Sequence, residues 1–372
     1  MSNAWKYADL SSVHIELSSK CQAACPACPR FLRNSTNIDP SLIETSITFE
    51  NFKKWFPVEI TQHIKSWIIC GTHGDPFACK DLYEILEYIC ENSTGSVQVN
   101  TNGGLRNPEY FKKIGKLFRQ YKSYNSTTPE RFVIFSIDGL KTTNHIYRRN
   151  VVWEKVWENL MAYAGTGAVA QWDYLVFGHN LYQVDKARQL AKSYNIRFTL
   201  KNPFGVDKQG MAVLDKDYKL DYVIEHSTDH NYEHWEPASL SWIPEMPEPV
   251  QAEGCIDCYS FREESRGTAL QDVYVNALGQ VLPCCFIGNA MQGQIHSQEN
   301  MQIRKIQESI NNKNSLHTYS LEEIFDNKVF DIFSNSWETK SIKMCWMQCG
   351  KSTSKIRRMD GLFADVIPIY EQ

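Results

Sequence analysis

Along the first two hundred residues, short β-branched or aromatic runs alternate with stretches in which apolar residues recur at helical spacing. A polar turn rich in Gly, Asn and Asp follows each run. Six such runs stand at residues 13–17, 67–70, 97–100, 132–137, 172–176 and 197–200. The intervening segments, such as "DLYEILEYICEN" from Asp81, "PEYFKKIGKLFRQ" with Pro108 suited to a first helical turn, "VWEKVWENLMAYAG" and "VDKARQLAKSYN", read as amphipathic helices. Strands alternating with helices imply a parallel sheet with right-handed crossovers. Six units predict an α/β fold built as a partial (β/α)6 TIM-like barrel over residues 1–204.

In parallel α/β folds the reactive site forms at the carboxyl ends of the strands. Those positions hold Cys21, Cys25 and Cys28 after the first run, "GTHGDP" (71–76) after the second and "TNGG" (101–104) after the third. "SIDG" (136–139), "GHN" (178–180) and "KNPFG" (201–205) follow the last three. Six unusual loops are therefore expected on one rim.

The pattern breaks at residues 205–254, a proline-rich stretch without sustained periodicity that reads as a connecting segment. Its His226, His230 and His234, spaced i, i+4, i+8, could form a metal face on a helix, although a surface loop or helix is the plainer reading. From 255 to 350 the organisation changes. "DVYVNALGQVLPCC" reads as a hairpin turning near Gly279, Ser320 and Glu323 form a capping box, and "CWMQC" closes the segment. This predicts a small α+β domain built around its own metal centre, with a tail at 351–372.

Composition narrows the possibilities. A net charge of −4 over 372 residues leaves no global basic field for nucleic acid or an anionic membrane, and no apolar run is long enough to span a bilayer. The start lacks the basic and apolar regions of a signal peptide, so a cytoplasmic location is expected. Nine of the twelve cysteines cluster at 21/25/28, 255/258, 284/285 and 345/349, spacings that suit metal ligation rather than disulfides; Cys70, Cys79 and Cys90 sit in apolar segments as small hydrophobes.

Structural zinc takes four protein ligands and leaves no open position, whereas the first cluster supplies three. A cubane iron-sulfur cluster held by three thiolates keeps one iron free for a cofactor. With "GTHGDP", "TNGG" and "SIDG" following in order, residues 10–200 resemble the radical S-adenosylmethionine superfamily. Residues 255–350, with GxxxxC at 279–284, a helix and a terminal Cys pair, resemble its Twitch or SPASM extension.

The resemblance implies that Cys21, Cys25 and Cys28 hold a catalytic 4Fe-4S cluster whose open iron binds S-adenosylmethionine. It implies cofactor contacts from Gly71, His73, Gly74, Asp75 and Pro76, and from Asn102, Ser136, Asp138, Asn180 and Arg148 or Arg149. One auxiliary 4Fe-4S cluster would take Cys258 or Cys255 with Cys284, Cys345 and Cys349, leaving Cys285 spare. Asp75 stands where the family usually has Glu, and Ala27 where an aromatic often meets adenine, with Phe31 as a substitute. The implied activity is that of an oxidoreductase: reductive cleavage to a 5'-deoxyadenosyl radical and hydrogen abstraction from a peptide or protein, or else from a small polyol, sugar or nucleoside. Flavodoxin or ferredoxin would supply the electron. A non-catalytic zinc module is the rival reading, and it leaves the six rim loops unexplained.

Overall fold

The structure, a computed structural model, describes residues 5–121, 130–203, 206, 210–227, 254–256, 258, 260–263, 269–291 and 298–352. Six parallel strands carry the first half: β1 (Leu10–Ile15), β2 (Ser66–Ile69), β3 (Ser96–Thr101), β4 (Arg131–Ser136), β5 (Val169–Leu175) and β6 (Arg197–Lys201). They neighbour one another in chain order, as successive right-handed crossovers require. The helices Leu82–Asn92, Pro108–Gln120, Trp153–Ala164 and Val184–Ser193 lie where the apolar spacing predicts them. Pro108 occupies a first turn, capped by the Asn107 side chain.

The two faces of the sheet differ in kind. On the face turned to the helices, Val13, Ile15, Trp67, Ile69, Val99 and Trp172 are completely buried. The other face carries His14, Gln98, Asn100, Ser136 and Lys201, all half-buried. A filled barrel packs branched apolar side chains inside. This one instead presents an accessible polar surface.

Two pairings depart from the expected plan, a hairpin within residues 205–254 and the union of a C-terminal strand with β1. The segment read as a connector contains β7 (Met211–Leu214) paired antiparallel with β8 (Leu220–Ile224), because "MAVLDKDYKLDYVI" is a short strand, a polar turn and a second strand. His226, on the rest of this stretch, bridges Phe177 in extended conformation, and His230 and His234 lie outside the described residues. In the C-terminal part, β9 (Gly254–Ile256), β10 (Phe261–Glu263), β11 (Ala269–Val275), β12 (Val281–Leu282) and β13 (Gly350–Ser352) follow. The β11–β12 hairpin turns at Gly279 (φ 72°), as expected. Strand β11 then pairs parallel with β1, placing Tyr274 opposite His14. The result is one nine-stranded sheet ordered β10-β11-β1-β2-β3-β4-β5-β6, with β12 on β11. The Ser320/Glu323 capping box forms at helix Leu321–Asp326. Among the described residues no helix is long and apolar enough to cross a membrane.

Candidate functional site

The loop after β1 is held at both ends. The Cys28 amide donates to the Cys25 carbonyl (3.0 Å) and the Phe31 amide to the Cys28 carbonyl (3.1 Å), winding the three cysteines into tight turns. Arg149 fastens the loop to the rim: Ala24 donates to its carbonyl (2.9 Å), and its guanidinium donates to the carbonyls of Ala24 (2.8 Å) and Ser35 (3.0 Å). Arg30, 1% exposed, donates to the carbonyls of Ser19 and His73 and to Glu44 Oε1 (2.6 Å). It thereby ties the cysteine loop to the 71–76 loop. Sequence reasoning passed over Arg30, although its place directly after the third cysteine and its proline was a signal.

Cys25 is buried and Cys21 and Cys28 are half-buried. Asn102 Nδ2 donates toward Cys21 Sγ (3.4 Å) and Arg148 Nη1 toward Cys25 Sγ (3.7 Å). Burial pushes the Cys28 thiol up to about 12 and raises Cys21 and Cys25, the last opposed by the Arg148 charge. Thiolates here therefore need a cation. Arg148 is itself held by fully buried Asp138 (2.5 Å), whose other oxygen accepts from the Leu175 amide (2.7 Å). Burial raises the Asp138 carboxyl and Arg148 counters it; burial works against the Arg148 charge, and Asp138 outweighs that. Three thiols on one loop, with an amide and a guanidinium aimed at two of the sulfurs, suit an iron-sulfur centre and its outer hydrogen bonds.

Other candidates serve the frame. A Cβ on Gly71 would fall 2.1 Å from the Gly74 carbonyl oxygen, and one on Gly74 1.9 Å from that of Ser18, so both glycines let chain pack on chain. The Asp75 carboxylate accepts from the Thr101 hydroxyl (2.9 Å) and from the amides of Asn102 (2.8 Å) and Phe77 (2.9 Å), capping the short turn that begins at Pro76. Asn180, fully buried, accepts from the Phe177 amide and donates to the carbonyls of Asp138 and Leu175 (2.9 Å each), joining the ends of β4 and β5. Asn102 also accepts from Gln22 (2.6 Å). Phe31, 5% exposed, forms an antiparallel bridge with Ile38. Ser136 ends β4 half-buried on the polar face. That face also holds Asp173, which takes Lys201 Nζ (2.5 Å) and Gln171 Nε2 (2.7 Å), and the Gln98 to Asn100 bond (2.8 Å).

Missed altogether was Glu16, 1% exposed at the end of β1. Its Oε1 accepts from the amides of His73 (2.6 Å) and Gly74 (3.0 Å), and its Oε2 from the Tyr274 hydroxyl (3.2 Å). Burial works to raise the carboxyl, but the His73 side chain, through its hydrogen bond and charge, and then the His73 and Gly74 amides outweigh it and hold it below its ordinary value. A carboxylate in the sequence "VHIEL", on the strand preceding the cysteines, was the available signal.

The second set of thiols has other surroundings. Cys258, Cys284, Cys345 and Cys349 line a cavity of ≈ 20 Å³ walled by Trp5, Phe286, Phe333, Trp337 and Met344. Contact with Cys349 and then burial raise Cys258; burial pushes Cys284 up to about 12 and raises Cys345. Cys285 is not in that lining; burial raises its thiol, and Cys284 and Cys70 add to the rise. Cys255 lies in β9 opposite Lys351. Among the described residues no three His, Cys, Asp or Glu side chains are gathered at the spacing of a single ion. One tetrahedral zinc would draw its thiolates to about 3.8 Å apart, since Zn–S is about 2.3 Å.

No family sequence model and no curated protein sequence matches the chain. Solved structures do. Polyhistidine-tagged anSMEcpe with bound AdoMet is 14% identical with a TM-score of 0.50, over 91% of this chain and 88% of that one. Streptococcus suis SuiB bound to S-adenosylmethionine is 14% identical at 0.45, over 77% of this chain and 62% of that one, so the chain spans less than two thirds of SuiB. BtrN in complex with AdoMet and 2-DOIA is 13% identical at 0.41, over 91% and 92%. The likeness to anSMEcpe shows the fold, an α/β architecture with a mostly parallel sheet.

Proposed function

We propose that the protein is a radical S-adenosylmethionine oxidoreductase. The observation that carries the proposal is the three-cysteine loop at the carboxyl rim of a parallel partial barrel, with Arg148 and Asn102 directed at two of its sulfurs and an accessible polar face beside it. Cys21, Cys25 and Cys28 would hold a 4Fe-4S cluster which, with S-adenosylmethionine at its open iron and one electron from a flavodoxin or ferredoxin, supplies a 5'-deoxyadenosyl radical for hydrogen abstraction.

The chain's own residues have separable tasks. Arg148 and Asn102 stabilise negative charge on sulfur, and Asp138 keeps Arg148 aimed. Arg30 and Asp75 fix the loops that must keep their register, and the apolar helix layer shuts water out from behind the sheet. Ser136, Asp173 and Lys201 offer polar contacts to whatever meets the polar face. The apolar cavity of Cys258, Cys284, Cys345 and Cys349 fits the thiol donors of one auxiliary 4Fe-4S cluster, with Cys255 as the alternative to Cys258.

A peptide or protein is the favoured substrate, given a chain that is 12% aromatic and has no basic tract. The Gln, Asn and Asp side chains of the polar face favour a second reading, a hydroxylated small molecule such as a polyol or sugar derivative. Anaerobically reconstituted protein should hold about eight iron and eight sulfide, and once reduced should release 5'-deoxyadenosine and methionine from S-adenosylmethionine. A protein that takes up zinc, shows no visible iron-sulfur absorbance and leaves S-adenosylmethionine intact would overturn the assignment.

A further inference from the structure

The 71–76 loop meets the C-terminal part of the chain at one buried group. Glu16 ends β1, and its carboxylate receives two consecutive backbone amides of the loop, those of His73 and Gly74. The same carboxylate receives the Tyr274 hydroxyl from β11 (3.2 Å), and that hydroxyl also meets Thr72 Oγ1 at 2.6 Å. The Tyr274 ring stands edge-on to His14 (4.9 Å), whose Nε2 lies 2.8 Å from the Cys70 carbonyl just ahead of the loop. Tyr274 and Glu16 are each 1% exposed. A buried carboxylate is tolerated only when its lone pairs are filled, and here the loop and β11 fill them together.

We propose that Glu16 and Tyr274 are positioning residues for the 71–76 loop, so that the C-terminal hairpin sets the affinity of the site for S-adenosylmethionine. This rests on the functional reading above. Three consecutive loop residues, Thr72, His73 and Gly74, are fixed by the pair, while Gly71 and Gly74 press the loop against its own chain. Loss of the Tyr274 hydroxyl frees Thr72 and leaves one Glu16 oxygen short of a donor. The loop then samples orientations that fit the cofactor less well, and binding weakens without loss of the bond-breaking chemistry.

The experiment uses the full reconstituted chain and S-adenosylmethionine itself. Tyr274→Phe removes one oxygen from a fully packed ring. It should keep the parental iron content and melting temperature to within a few degrees, yet raise the dissociation constant for S-adenosylmethionine about fivefold to tenfold. The rate of 5'-deoxyadenosine release at saturating S-adenosylmethionine should stay within about twofold of the parent, the pattern of lost uniform binding. The change that S-adenosylmethionine causes in the electron paramagnetic resonance of the reduced cluster should need the same higher concentration. Thr72→Val removes the opposite end of the hydroxyl pair without touching the ring, and should raise the dissociation constant in the same direction. It carries the test if Tyr274→Phe fails to fold.

Unchanged affinity in a folded, iron-loaded Tyr274→Phe protein, or in Thr72→Val where that alone is folded, overturns the proposal. So does misfolding of both variants, which would make the network a requirement for the fold. If the parent protein itself binds no S-adenosylmethionine, the functional reading fails instead, and with it the premise of this inference.

Discussion

The two cysteine sets differ more in their surroundings than in their number. Around Cys21, Cys25 and Cys28 stand a guanidinium, two side-chain amides and two buried carboxylates, Asp75 and Asp138, on the edge of a polar, half-exposed face. Around Cys258, Cys284, Cys345 and Cys349 stand Trp5, Phe286, Phe333, Trp337 and Met344. Thiols raised by burial are common to both, so burial alone distinguishes nothing. Access does not differ, since every thiol of both sets but buried Cys25 is half-buried. What differs is the lining, with a guanidinium and an amide aimed at sulfur in the first set and mostly aromatic walls, with Gln348 among them, around the second.

The difference is broken most severely by Cys25→Ala. Two thiolates cannot hold the first cubane, so 5'-deoxyadenosine release should fall below detection while about four iron remain in the C-terminal set. Iron analysis beside chromatographic detection of 5'-deoxyadenosine checks this. Parental release would remove the N-terminal loop from the chemistry.

Arg148→Met should come next, because it strands Asp138 as an unpaired buried carboxylate at a cost of about 3–5 kcal/mol. Adding Asp138→Asn should restore a good part of that loss, measurable by urea unfolding of the apoprotein. A double variant no better than the single would mean the pair is not what holds this side of the rim.

Glu16→Gln is expected to cost about 2–3 kcal/mol at pH 7, since it removes a charge-assisted acceptor of two loop amides and a tyrosine hydroxyl. The sign of its pH dependence follows from the lowered Glu16 value. Stability from such a group is fully present above its unfolded value of about 4.3 and is lost as pH falls through the depressed native value. The gap between parent and variant should therefore close below about pH 4, and a gap constant down to pH 3 would contradict the assignment.

Smallest should be Ser320→Ala, which deletes one side of a capping box in the C-terminal part and should cost about 1 kcal/mol. It should leave 5'-deoxyadenosine release untouched, and reduced release would show that the two regions share more than a sheet.

The N-terminal half was largely legible. Six runs of alternating residues became β1 to β6 in order, and the rim loops followed because a parallel sheet leaves no other place for them. Pairings between distant segments were not. Period-two alternation marks β11 as a strand without saying that it lies against β1, some 260 residues earlier in the chain, and nothing local in "MAVLDKDYKLDYVI" outweighed the prolines around it. The polar candidates split for a related reason. Cys21, Cys25 and Cys28 stood out because a CxxxCxxC spacing is written locally. Asn180 and Asp75 looked equally polar but spend their hydrogen bonds on neighbouring loops, and Arg30, Glu16 and Tyr274 owe their importance to partners that only the fold brings near.

The contrast between a set lined by charged and amide groups and one walled mostly by aromatic rings is tested most directly by 5'-deoxyadenosine release from reduced Cys345→Ala/Cys349→Ala protein, with circular dichroism confirming the fold. The account predicts release within about twofold of the parent alongside loss of about four iron, because the variant leaves Cys21, Cys25, Cys28, Arg148 and Asn102 in place. A folded variant that retains the N-terminal iron yet releases no 5'-deoxyadenosine would contradict it.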